Sequence, residues 1–174
     1  MKKIGIIEIH SKRYGGVVYT QQVKKALSKE FDVEHIDSAA KFFKKSRYLR
    51  FFESLYRIFG LKGEKDIWIR DFYSVLALSK RRIKGRNLAL IFHVDPLRLP
   101  LLAKIPIFLL EKLVFYRQLR KVDAIVTISE YWKNYFLERG YKNVYKIYCG
   151  YDLNDFNITE ERVSEFKKKY NLDV

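Results

Sequence analysis

The stretch KIGIIEI, residues 3–9, sets Ile4, Ile6, Ile7 and Ile9 in a short, nearly continuous apolar run. Such a run is apolar on both alternating faces, which marks a strand buried on both sides, as in a parallel sheet. Lys2 and Lys3 imitate the charged start of a secretory leader, but the apolar run is cut at Glu8, so a strand is expected. Working outward, the turn SKRYGG is followed by VVYTQQVKKALSKE, where Val18 or Tyr19, Val23, and Ala26 or Leu27 recur at helical spacing. That is a first crossover helix. DVEHID (32–37), DIWIR (66–70), LALIF (88–92), AIVTI (124–128) and VYKIY (144–148) are five further strands, and helical stretches are expected near 42–59, 72–82, 106–121, 129–139 and 159–170. This alternation predicts a Rossmann-like three-layer α/β/α domain with a mainly parallel sheet and right-handed crossovers, over residues 1–156, and a linker helix over 157–174. No internal repeat or low-complexity segment interrupts it.

Composition narrows the function classes. The chain has 174 residues, 48% of them hydrophobic, enough for one well-cored domain without disulfide or metal staples. A single cysteine, Cys149, excludes a disulfide framework and fits a reducing, cytoplasmic compartment. The longest apolar stretch, 101–116, is broken by Lys104, Pro106, Glu111 and Lys112 and does not read as a membrane span. Thirty-five Lys plus Arg against 20 Asp plus Glu give a formal charge of +15. An anionic partner is implied: nucleic acid, phospholipid headgroups or a phosphorylated small molecule. A basic surface that serves only solubility is the alternative.

In a parallel sheet the functional loops gather at the carboxyl ends of the strands. That rule selects His10 with Tyr14, Gly15 and Gly16 after strand one, Arg70 and Asp71 after strand three, and His93 and Asp95 after strand four. It also selects Ser129 and Glu130 after strand five, and Cys149, Gly150 and Asp152 after strand six. Gly15 and Gly16 would let backbone amides at a helix start approach a phosphate or carboxylate, or would form an ordinary tight turn. The three-glycine dinucleotide fingerprint is absent, so Asp37, although spaced like a ribose-binding acid, does not make a nicotinamide site. His93, in FHVDP, is the residue best placed for chemistry, because a strand end would hold its ring and an imidazole can accept or donate a proton near neutral pH. Pro96, Pro100 and Pro106 stiffen the segment after it. The histidines and the lone cysteine show no metal-ligand spacing, so no metal and no Cys149 nucleophile are expected, and His35 inside strand two has no assigned role.

The segment KFFKKSRYLRFFESLYRIFGLK, 41–62, is expected as a two-faced helix. Tyr48, Phe51, Phe52, Leu55 and Phe59 fall on one side, and Arg47, Arg50, Ser54 and Arg57 on the other. Aromatics opposite arginines suit an anionic membrane interface, with Arg47, Arg50 and Arg57 as the headgroup contacts, or a helix packed on the sheet with a solvated basic face. KRRIKGR at 80–86 adds to any anionic patch. The same composition suits single-stranded nucleic acid, but no RNA-binding signature accompanies it.

Four ordered segments together resemble the N-terminal domain of the family-four retaining glycosyltransferases, which have the two-domain GT-B fold. They are IGIIEIHSKRYGGVVYTQQVKKAL, IFHVDP, LEKLVFYRQLRKVDAIVTISEYWKNYF and KIYCGYDLNDF, the last similar to the hinge signature of that family. The resemblance implies that Gly15 and Gly16 lie against donor phosphates and acceptor, that His93 contacts the transferred sugar, and that Ser129, Glu130, Gly150 and Asp152 line the site. The sequence departs from the family at Cys149, where asparagine is usual, at Tyr151, and at RDFY, where a histidine is often found. The family's second domain binds the nucleotide and carries a paired-glutamate motif, and no such motif occurs here. The resemblance therefore implies the acceptor-side half of an enzyme moving a sugar from a nucleotide-sugar to a hydroxyl acceptor, lipid-linked or otherwise, with no further cofactor. The chain alone is expected to be inactive, its partner domain lying in cis or on a separate chain. The competing reading is a non-catalytic Rossmann-like module whose basic face binds an anionic partner.

Overall fold

In the computed structural model, residues 1–8, 15–43, 46–78, 82–92, 110–148, 150 and 158–172 are described. Six parallel strands form one sheet: β1 (Lys3–Glu8), β2 (Asp32–Asp37), β3 (Gly63–Arg70), β4 (Ile83–Leu90), β5 (Ala124–Thr127) and β6 (Val144–Lys146). Their order is β2-β1-β3-β4-β5-β6. The helices are α1 (Gly15–Leu27), α2 (Arg47–Gly60), α3 (Phe72–Leu76), α4 (Tyr116–Leu119), α5 (Glu130–Glu138) and α6 (Glu160–Tyr170), and a π-helical stretch, Leu110–Phe115, leads into α4. The three-layer α/β/α architecture is the one expected from the alternation.

Register assigns the two faces. Ile4, Ile6, Ile69, Leu90 and Val126 share one face and pack with Tyr19, Val23 and Leu27 of α1. Ile7, Trp68, Ala89 and Ile125 share the other face, which is covered by Ile58 of α2, Val75 of α3, Phe115 and Leu119 around α4, and Phe136 of α5. Both faces of β1 are thus buried, as its continuous apolar run requires. Gly5 is needed there because the Trp68 ring occupies the space above it: a Cβ would lie 2.6 Å from two ring carbons.

Several elements differ from the expected spans. Strands β3 and β4 run further back, to Gly63 and Ile83, because they pair beyond their apolar halves around an irregularity between Glu64 and Ile67. There the carbonyl of Lys65 presses on Gly85, whose φ of +117° admits no side chain comfortably. The extended β4 takes the end of the basic run 80–86, and α3 stops at Leu76 instead of reaching 82. Local caps set the helix starts: Ser46, Asp71, Ser129 and Thr159 each accept a backbone N–H from three residues on. Helix α6 has glutamates in its first turn, lysines in its last and no buried residue, so local signals alone hold it.

The two sides of α2 are not those expected from aromatic against basic residues. Ser54 and Ile58 are buried and Phe51 and Leu55 half-buried, whereas Phe52 and Phe59 point to solvent with Leu49 and Tyr56. The arc of α2 facing the sheet is chosen by fit against Ile7, Trp68 and Tyr73, and Phe51 meets Tyr73 edge-on at 5.6 Å. Among the described residues no helix is long and apolar enough to cross a membrane.

Candidate functional site

Strands β1 and β3 are neighbours, yet the helices that leave them pack on opposite faces, α1 on one and α3 on the other. A crevice opens at such a switch point, beyond the carboxyl ends of the strands. Gly15 and Gly16 are the first two residues of α1, so the glycine pair starts the helix, and its amides, which have no acceptor within the helix itself, lie on this rim. Asp71, on the other side, caps α3: its Oδ1 accepts from the Ser74 N–H at 2.7 Å.

Arg70 is completely buried beneath α3. Its Nε donates to Asn87 Oδ1 at 2.8 Å and its Nη1 to the Ser74 carbonyl at 3.1 Å, while Nη2 has no partner among the described residues. Burial pushes the guanidinium down to about 10, against the pull of the neighbouring Asp71 charge. It remains charged at neutral pH and ties α3 to β4, so it positions Asp71 from below.

On the α1 face the rim holds a pair that sequence reasoning left out. Glu8 ends β1 almost buried, and one carboxylate oxygen lies 2.8 Å from Nε2 of His35 on β2. Ile6 pairs with His35 and Glu8 with Asp37 in register, which sets the imidazole and both acids on one face. The available signal was an acid closing an otherwise apolar strand, beside a histidine two residues before the end of its neighbour.

Further along the rim, Ser129 Oγ accepts from the Trp132 N–H at 3.2 Å, so this hydroxyl caps α5. The Glu130 carboxylate pairs with Lys146 at 2.5 Å and Lys133 at 3.3 Å, and both lysines hold it below the ordinary carboxylate range. Lys146 is raised in turn by Glu130 and by the hydroxyl of Tyr148, 2.9 Å away. On the α1 face, Tyr19 meets Phe92 edge-on at 4.9 Å and donates from its hydroxyl to the Ile147 carbonyl at 3.5 Å. The first turns of α1, the residue just past β4 that precedes His93, and the residue just past β6, three before Gly150, therefore meet.

His10, Tyr14, His93, Asp95 and Asp152 lie outside the described residues, as do Cys149 and Tyr151. Gly150 is exposed, with nothing within 4 Å of an added Cβ. Of the three arginines expected at a headgroup, Arg50 is half-buried, and Arg57 donates to the carbonyls of Ala39 and Asp37, clamping the segment after β2. The side chain of Arg47 is outside the described set. Among the described residues no cluster of His, Cys, Asp and Glu has the makings of a metal site.

Scanned against known protein families, the chain matches none, and no curated protein matches its sequence.

Proposed function

We propose that this chain is the acceptor-side half of a retaining glycosyltransferase, acting with a donor-binding domain in cis or on a second chain. The observation that best supports the reading is the joining of four rim segments. Tyr19 links the helix begun by Gly15 and Gly16 to Phe92, next to His93, and to Ile147, while Glu130 links the start of α5 to Lys146. These are the four segments on which the resemblance to family-four enzymes rests.

In the proposed reaction a nucleotide-sugar donates its sugar to a hydroxyl, lipid-linked and presented at the cytoplasmic face of a membrane. The acceptor oxygen bonds to the anomeric carbon on the face from which the diphosphate departs, and the hydroxyl proton passes to a diphosphate oxygen. No protein nucleophile is required. The amides of Gly15 and Gly16 would bind developing phosphate charge, and His93 a sugar hydroxyl, by preorganised hydrogen bonding.

The test is a panel of nucleotide-sugars offered, with lipid-linked acceptors, to the intact protein that contains this chain. One donor should be consumed, and His93→Ala should lower turnover by well over tenfold, on the order of a lost acid–base or polar contact, without unfolding the domain. No consumption of any donor, with or without a donor-binding partner, would favour the non-catalytic module instead.

A further inference from the structure

Six apolar side chains of α2 and the segment before it are exposed to solvent: Phe42, Phe43, Leu49, Phe52, Tyr56 and Phe59, each between 49% and 85%. Four of them recur at three- and four-residue steps along α2, on the arc left free when Ser54 and Ile58 face the sheet. The other two are held in place by Glu53 of the same helix. Its carboxylate accepts the backbone N–H groups of Lys41 at 2.8 Å, Phe42 at 3.1 Å and Phe43 at 2.9 Å. The aromatic ridge is thus preformed, and ordering it on contact costs little.

Three basic side chains flank the ridge. Lys41 and Lys62 are exposed at its two ends, and the guanidinium of Arg82 lies 5.0 Å above the Phe59 ring. Glu53, the acid within α2, is occupied by three amides. A convex aromatic ridge with a cationic border on a chain of charge +15 matches an anionic bilayer interface. Rings sit at headgroup depth while Lys and Arg meet lipid phosphates. A second copy is a poorer fit, because face-to-face pairing would oppose two cationic borders.

We infer that the outer face of α2, with the Lys41–Phe43 segment, is a membrane-docking surface for anionic phospholipid. The inserting groups are the outward aromatics, and the arginines Arg50 and Arg57 are supporting residues of α2. This deepens the membrane-proximal part of the proposed function without depending on sugar transfer. Vesicle binding and donor consumption are separate assays, and either can fail alone.

The experiment is co-sedimentation of the full chain with vesicles of phosphatidylcholine containing about 30% phosphatidylglycerol, against pure phosphatidylcholine, at about 0.05 M and about 0.5 M salt. Anionic vesicles should bind the protein at low salt, and binding should weaken markedly at high salt. The triple variant Phe42→Ser, Phe52→Ser, Phe59→Ser should lower partitioning on the order of 100-fold, from lost burial of three rings. Lys62→Gln with Arg82→Gln should lower it on the order of tenfold. As a check that does not require the triple variant to fold, Phe52→Trp in a Trp132→Phe background supplies a reporter at the ridge, since the remaining Trp68 is buried in the core. The emission of the introduced indole should shift to the blue on anionic vesicles and be quenched by lipids brominated in their chains. Absence of binding at low salt, equal binding by the triple variant in folded form, or an unshifted emission from the Phe52→Trp variant overturns the inference. A concentration-dependent dimer that the triple variant abolishes, without vesicle binding, would overturn it too and assign the ridge to a second copy.

Discussion

Replacing Gly5 by Ala tests the packing that brings β1 and β3 together at the switch point. The new Cβ would lie 2.6 Å from Cε3 and Cζ3 of Trp68, against the roughly 3.5–4.0 Å of a normal carbon contact. The ring must therefore withdraw by about 1 Å. It has little room to do so, being 1% exposed and anchored by its Nε1–H to the Lys84 carbonyl at 2.9 Å. Overpacking of this kind costs about 1–3 kcal/mol, a strained Trp hydrogen bond adds about 1 kcal/mol, and the reduced freedom of Ala over Gly returns about 0.5–1 kcal/mol. The net loss is about 2 kcal/mol, which for a domain of this size lowers Tm by roughly 4–8 °C. The assay is a double-mutant cycle with Trp68→Leu, read by thermal and urea unfolding. Relief of the clash should make Gly5→Ala less costly once Trp68→Leu is in place, with a coupling of at least about 1 kcal/mol. If the two substitutions add to within about 0.5 kcal/mol, the clash is not what makes glycine necessary.

Three further outcomes are expected. Gly85→Ala meets the Lys65 carbonyl at 1.8 Å with a φ of +117° and should cost at least about 3 kcal/mol; a loss below about 1 kcal/mol in urea unfolding contradicts the tight β3–β4 irregularity. Ser129→Ala removes the cap of α5 and should lower stability by about 1 kcal/mol, so an unchanged melt with a weakened donor affinity would show that its hydroxyl serves ligand instead. Burial pushes the Glu53 carboxyl up, but the N–H groups of Phe43, Lys41 and Phe42, with the Arg57 charge, hold it below its ordinary 4.5. An acid depressed in the folded state contributes above its unfolded pKa and loses that contribution as pH falls through the lower, folded one. Amides 41–43 should therefore exchange slowly at neutral pH and lose protection only as pH falls below the ordinary carboxylate range. Glu53→Gln should be unprotected throughout, and protection that is flat from about pH 3 to 7, after correction for intrinsic exchange, refutes the carboxylate's role.

At the level of the backbone, the positions of some candidate residues were legible. The strand-end rule selected Asp71, Ser129 and Glu130, and all three stand at the starts of helices on the rim. Their side-chain occupations were not legible, because they depend on groups distant in sequence or on the cap geometry itself: Glu130 on Lys146, Asp71 and Ser129 on amides that only a formed helix leaves unpaired. Glu8 and His35 went unassigned for the same reason. They are 27 residues apart and meet only when β1 and β2 pair.

Local chemistry in the sequence determined the elements. Apolar runs written at strand length and crossover helices between them define a parallel α/β domain, since the period of burial and the cap residues act within a few positions along the chain. Tertiary structure alone decided which arc of α2 faces inward. Its apolar residues cover far more of the helix than the sheet can take up, so composition is satisfied by more than one rotation. The contacts offered by Ile7, Trp68 and Tyr73 select the one that buries Ser54 and turns Phe52, Tyr56 and Phe59 to solvent.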